Sequence, residues 1–125
     1  MEDIIKYSTM LNSRWEKFMS TGFNALYVDD IRTCPEDTDE YRWTTARTGW
    51  EALVKLELID FELVSLDHDI ASFIGNKEIT GADIAMWLAT RNHNGLYVPP
   101  KIEIHSANPV GCENIEAIVK RYLTK

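Results

Sequence analysis

Three stretches of this chain repeat one arrangement, an apolar run followed at once by residues able to do chemistry. Phe23–Val28 runs into Asp29-Asp30-Ile31-Arg32, residues 62–66 run into Asp67-His68-Asp69, and Lys101–Ile104 runs into His105-Ser106-Ala107-Asn108. Asp29, Asp30, Asp67 and Asp69 would repel one another if gathered at one place, and a hard, oxygen-ligated divalent cation would relieve that repulsion. Mg²⁺ fits such a donor set best, with Mn²⁺ the alternative if a histidine also coordinates. Taken singly, each aspartate is equally suited to cap a turn. His68 and His105 titrate near neutral pH when unperturbed, so either could exchange a proton during phosphoester cleavage. Together with Asp67 they form the expected catalytic group.

The third stretch continues through Pro109, Val110 and Gly111 into the last helix. A helix N-terminus offers free amides and a positive dipole end to a phosphate. Ser106, Asn108 and Gly111 are the expected contacts there, and Arg32 is the nearest guanidinium. The plainer reading of the same residues is an Asn-Pro turn that starts a helix, and both readings can hold at once.

Clusters so far apart in sequence meet only if the elements before them are parallel strands whose carboxyl ends share one edge. The patterning supports this. Phe23–Val28 reads as a strand buried on both faces, and Tyr41–Ala46 reads as a weaker, edge strand. Thr48 and Glu51 have the spacing of a capping box that opens a helix to about residue 58. Residues 70–79 read as a loop around Gly75-Asn76, and Thr80 to Asp83 reads as a second helix start that closes near Asn92 to Gly95. Pro99-Pro100 forces an extended entry into Lys101–Ile104. Ile115, Ile118, Val119, Tyr122 and Leu123 form the apolar stripe of a final helix. Upstream, Ile4, Tyr7, Leu11, Trp15 and Phe18 have helical spacing over residues 2–19. The expected fold is one small three-layer α/β domain. It has a mainly parallel sheet of about four strands, an N-terminal helix over residues 1–20 and a core over residues 23–125.

At 125 residues the chain suits one domain, and its 45% hydrophobic and 26% charged composition is that of a globular protein. No apolar stretch is long enough to span a membrane, and the acidic Met1-Glu2-Asp3 start lacks a secretory pattern, so a cytoplasmic location and no membrane partner are expected. A net charge of −7 argues against extended nucleic-acid contact, though not against one nucleotide or an RNA end in a local cationic or metal-neutralised pocket. Residues 36–40 hold part of that charge in what reads as a solvated loop. Cys34 and Cys112 lack CxxC spacing and read as reduced thiols. Trp43 and Trp50 could stack on a base, but core packing is the favoured reading at their positions. No Walker, GxGxxG, HExxH or GxSxG signature is present.

The chain resembles the receiver-domain superfamily at Asp29-Asp30, Asp67 and Ser106-Ala107. These match the acidic pair after the first receiver strand, the phosphoacceptor aspartate after the third, and the Ser/Thr-Ala after the fourth. Residues 46–53 are similar to the second strand-to-helix passage, and the likeness extends over most of residues 23–125. The three motifs from Tyr27 to Arg32, Leu66 to Asp69 and His105 to Gly111 more closely resemble a divergent group of cyclic-phosphate processing receiver-like domains. A typical receiver also has a lysine after a fifth strand, whereas this chain ends after the helix that follows its fourth, so the expected fold is receiver- or flavodoxin-like and truncated. The resemblance implies a metal-dependent phosphoesterase acting on a small cyclic nucleotide or an RNA end bearing a 2′,3′-cyclic phosphate. In that reading Asp67 either holds the ion or attacks phosphorus itself. The alternatives are a cyclic-nucleotide-binding module without turnover and a degenerate receiver phosphorylated on Asp67.

Overall fold

The computed structural model describes residues 22–91 and 98–123. The helix expected over residues 2–19 and the helix stop expected over residues 92–95 lie outside them. The described chain runs β1 (Phe23–Val28), β2 (Tyr41–Ala46), α1 (Gly49–Leu58), β3 (Leu63–Leu66), β4 (Ser72–Ile74), β5 (Lys77–Ile79), α2 (Gly81–Arg91), β6 (Lys101–Ile104) and α3 (Pro109–Ile118), with a π-helical turn over Val119–Leu123. The sheet order is β2-β1-β3-β6, and every neighbouring pair is parallel. β2 is an edge strand, as its lean aliphatic content suggests.

Alternation along the strands divides the sheet into two faces. Leu26, Val28, Val64 and Leu66 point to one face, where they form a single core with Ala52 and Leu56 of α1, Ile84, Ala85 and Leu88 of α2, and Ile115 of α3. All three described helices therefore pack on the same side. Ala25, Tyr27, Leu63 and Ser65 point to the opposite face and are also buried. Among the described residues the helices cover one face, so the expected third layer is not seen there.

Local chemistry sets the helix starts. The Thr48 hydroxyl accepts from the Glu51 amide at 3.0 Å, while the Glu51 carboxylate reaches the Arg47 amide, one residue before the expected reciprocal partner. At α2 the exchange is complete, because Thr80 Oγ1 accepts from the Asp83 amide and Asp83 Oδ2 accepts from the Thr80 amide at 2.9 Å. Asn108 caps α3 by accepting from the Gly111 amide at 3.0 Å, with Pro109 at the first helical position. Tyr122, expected in the apolar stripe of this last helix, is 44% exposed, while Ile118, Val119 and Leu123 pack against the core.

Two expectations are corrected. Residues 70–79 are not a plain loop: β4 and β5 pair as an antiparallel hairpin around Gly75-Asn76. Gly75 takes φ +60°, which a two-residue hairpin turn requires and glycine supplies without steric cost. Strands of three residues are too short for alternation to announce them. Trp50 is not a core residue. It is 61% exposed and lines a shallow apolar groove of about 330 Å³ with Leu53, Val54, Glu57, Leu58 and Trp87. Trp43 is half-buried, edge-on to Tyr27 at 6.1 Å.

The acidic segment between β1 and β2 is solvent-exposed but anchored. Asp37 Oδ1 accepts from the Trp43 amide, and Thr38 Oγ1 accepts from those of Glu40 and Tyr41. Arg47 donates to the carbonyls of Asp29 and Arg32, tying the loop after β1 to the end of β2.

Candidate metal and phosphate site

Each of the three polar clusters begins one residue beyond a strand, while the ladder is still running. The Asp29 amide donates to Ala46 O, that of Asp67 to Val28 O, and that of His105 to Leu66 O, at 2.9–3.1 Å. Asp29, Asp67 and His105 thus form a row across the carboxyl edge of β1, β3 and β6, the place where open α/β sheets bind ligands. Asp29, Asp30 and Asp67 each bring a carboxylate oxygen within 4.8 Å of the other two.

The three carboxylates differ in what already holds them. Asp29 is fully buried, and its Oδ1 accepts from the amides of Ile31 and Arg32 at 2.9 and 2.8 Å. Its Oδ2 accepts from His105 Nε2 at 3.0 Å, with Arg32 Nε 3.9 Å away. Burial works against its ionisation, but those two amides and the imidazole outweigh it and hold the carboxyl below its ordinary range. Asp67 is only 8% exposed, yet its carboxylate, which has no hydrogen bond or ion pair among the described residues, opens to solvent. Asp30 is half-buried. An unpaired carboxylate that opens to solvent beside two others is a donor set that a hard divalent cation can satisfy.

His105 is engaged at both ring nitrogens. Nε2 meets Asp29, Nδ1 lies 2.6 Å from Ser65 Oγ, and the Tyr27 ring stacks on the imidazole at 4.3 Å and 3°. Burial pushes its pKa down and prevails over the upward pull of Asp29.

The other expected site residues gather in a second group at the start of α3. His68 Nδ1 lies 2.9 Å from Asp69 Oδ1, and Asp69 Oδ2 accepts from Asn108 Nδ2 at 3.2 Å. The His68 contact, with help from Asn108, lowers the Asp69 pKa against a smaller effect of burial. Ser106 Oγ accepts from the Asn108 amide at 3.1 Å. Gly111 is where the His68 ring packs on the helix, since a Cβ there would collide with the imidazole. The Gly111 amide is therefore spent on the Asn108 cap, and Ser106 retains its hydroxyl proton. Arg32 lies over the edge with its side chain about half exposed, Nη1 3.5 Å from His105 O.

The structure thus brings Asp29, Asp30, Asp67, Arg32 and His105 together and sets Asp69, His68, Ser106, Asn108 and Gly111 in an adjoining hydrogen-bonded group. Ser65 and Tyr27 were missed by sequence reasoning. The available signal was period-two spacing: each lies two residues before a site aspartate and so on the same face. Cys34 and Cys112 are both free. Among the described residues, no helix is long and apolar enough to cross a membrane.

A four-stranded parallel sheet in the order 2-1-3-4 of its major strands, with an acidic pair and a third aspartate at the carboxyl edge, defines a receiver-like α/β domain. The chain belongs to the family described as Cyclic-phosphate processing Receiver domain, whose sequence model matches residues 24–121. Comparison with curated proteins and with solved structures gave no significant match.

Proposed function

We propose that this domain is a metal-dependent phosphoesterase that opens cyclic phosphates, on a small cyclic nucleotide or a 2′,3′-cyclic RNA end, in the cytoplasm. The observation that carries the reading is Asp67, whose carboxylate has no partner among the described residues and opens to solvent with an oxygen within 4.8 Å of Asp29 and Asp30. Family membership supports the cyclic-phosphate part.

Asp30 and Asp67 would hold the ion directly, because both Asp29 oxygens already accept hydrogen bonds. Mg²⁺, or Mn²⁺, would supply Lewis-acid polarisation of a phosphoryl oxygen and a more acidic bound water. Arg32 and the Ser106 hydroxyl are the donors left to orient the phosphate. His68 is the better candidate for proton transfer. Asp69 holds its Nδ1, and Nε2 has no hydrogen-bond partner among the described residues, whereas His105 is committed at both nitrogens. The reaction adds one water across a ring P–O bond, and His68 would deliver a proton to the departing oxygen.

The test is phosphorus NMR of the protein with Mg²⁺ or Mn²⁺ and a panel of 2′,3′-cyclic, 3′,5′-cyclic and cyclic dinucleotides. Ring opening should need metal, vanish in Asp67→Asn, and fall about 10²-fold or more in His68→Gln. Tight binding in EDTA with no product anywhere in the panel would replace the enzyme by a binding module. Stable phosphorylation of Asp67 by a small phosphodonor would replace it by a phosphoacceptor.

A further inference from the structure

We infer that Ser65, in the middle of β3 and outside all three motifs, is a positioning residue that sets the Asp29 carboxylate by way of His105. The chain of contacts is continuous: Ser65 Oγ is 2.6 Å from His105 Nδ1, and His105 Nε2 is 3.0 Å from Asp29 Oδ2. Strand register explains why these residues meet. Ser65 pairs with Tyr27 on one side and Glu103 on the other. Asp29 and His105 lie two residues beyond those partners, so all five side chains rise from the same face.

Hydrogen-bond direction follows from the partners. Asp29 accepts two amides on Oδ1, and an ionised carboxylate can only accept on Oδ2, so Nε2 of His105 must carry the proton. The Ser65 hydroxyl engages Nδ1 in either direction, donating to a bare nitrogen or accepting from a protonated one. The stacked Tyr27 ring, 3° from parallel, fixes the imidazole plane. Ser65 is 5% exposed, so water does not readily replace its hydroxyl. Without that hydroxyl, Asp29 still selects the Nε2–H form, but nothing at Nδ1 holds the ring in the rotamer that aims Nε2 at Oδ2. Outer partners of this kind orient a site without touching what it binds.

The effect on metal binding rests on the proposed function, whereas the ring contact does not, so two readouts separate them. Proton–nitrogen NMR of the metal-free, ¹⁵N-labelled protein reports which His105 nitrogens are protonated and how fast the Nε2 proton exchanges with water. Mn²⁺ titration followed by electron paramagnetic resonance reports affinity. The wild type should show the Nε2–H form. Ser65→Ala should keep the proton on Nε2 but exchange it faster with water and bind Mn²⁺ about tenfold more weakly, and Ser65→Thr, which keeps the hydroxyl, should restore both. A wild type without a proton on Nε2, or a Ser65→Ala variant with unchanged exchange of that proton, would overturn the inference. Faster exchange with unchanged Mn²⁺ affinity would break the link from His105 to Asp29 and overturn it too. A wild type that binds no Mn²⁺ would refute the metal site itself and leave the His105 signals to decide the role of Ser65.

Discussion

Replacing Asp67 by asparagine should stabilise the metal-free protein and abolish its stabilisation by metal. Asp67 shares the carboxyl edge with Asp29 and Asp30, each with an oxygen within 4.8 Å of the others. Two unit charges at that separation repel by about 3.5 kcal/mol at an effective dielectric of about 20. Asp30 is half-buried and its share is screened, so removing the Asp67 charge should relieve about 1–3 kcal/mol. At about 4 °C per kcal/mol for a domain of this size, Tm in EDTA should rise by about 4–12 °C. Metal at 100 times its Kd should stabilise the wild type by about 2.7 kcal/mol and leave the variant unmoved. The assay is thermal unfolding of both proteins across an Mg²⁺ or Mn²⁺ titration. A variant less stable than the wild type in EDTA, or one that gains equally from metal, would refute the argument that these carboxylates repel and share an ion.

The pH dependence of stability follows from the shifted groups. The folded state holds His105 below its unfolded pKa, so in EDTA stability should fall as pH drops below about 6.5, where only the unfolded chain takes up the proton. Denaturant unfolding between pH 7.5 and 5 should show that slope, and its persistence undiminished in His105→Gln would exclude His105 as the source. The depressed pKa values of Asp29, Asp69 and Glu51 contribute stability that is complete above about pH 5 and lost as pH falls through their folded values. Gly81→Ala should cost about 1–3 kcal/mol in urea unfolding and weaken Mn²⁺ binding, because the added Cβ would collide with the backbone carbonyl of Asp67 itself. A neutral effect would show that the α2 start can move away from β3 without disturbing the site.

Much of this architecture could be read from local pattern because local physics decides it. Strands β1, β2 and β6 have the bounds that their β-rich runs suggest, and the α2 and α3 starts follow from side chains that reach amides three residues away. The gathering of Asp29, Asp30 and Asp67 at one edge also follows from parallel strands, since each residue lies just past a strand end. Their partners required the tertiary structure. Whether an imidazole bonds a serine, an aspartate or neither depends on which strands are neighbours and in what register. That is why His68 and His105 looked alike in sequence but differ in the number of ring nitrogens already bonded. The same holds at the α3 start, where Asn108 spends the Gly111 amide on its own cap and His68 fills the space beside Gly111. Ser65 is an unremarkable strand residue by composition. Only the pairing of β3 between β1 and β6 places its hydroxyl against the ring that holds Asp29, because a hydrogen bond needs its two atoms within about 3 Å and sequence spacing sets that distance only inside one element.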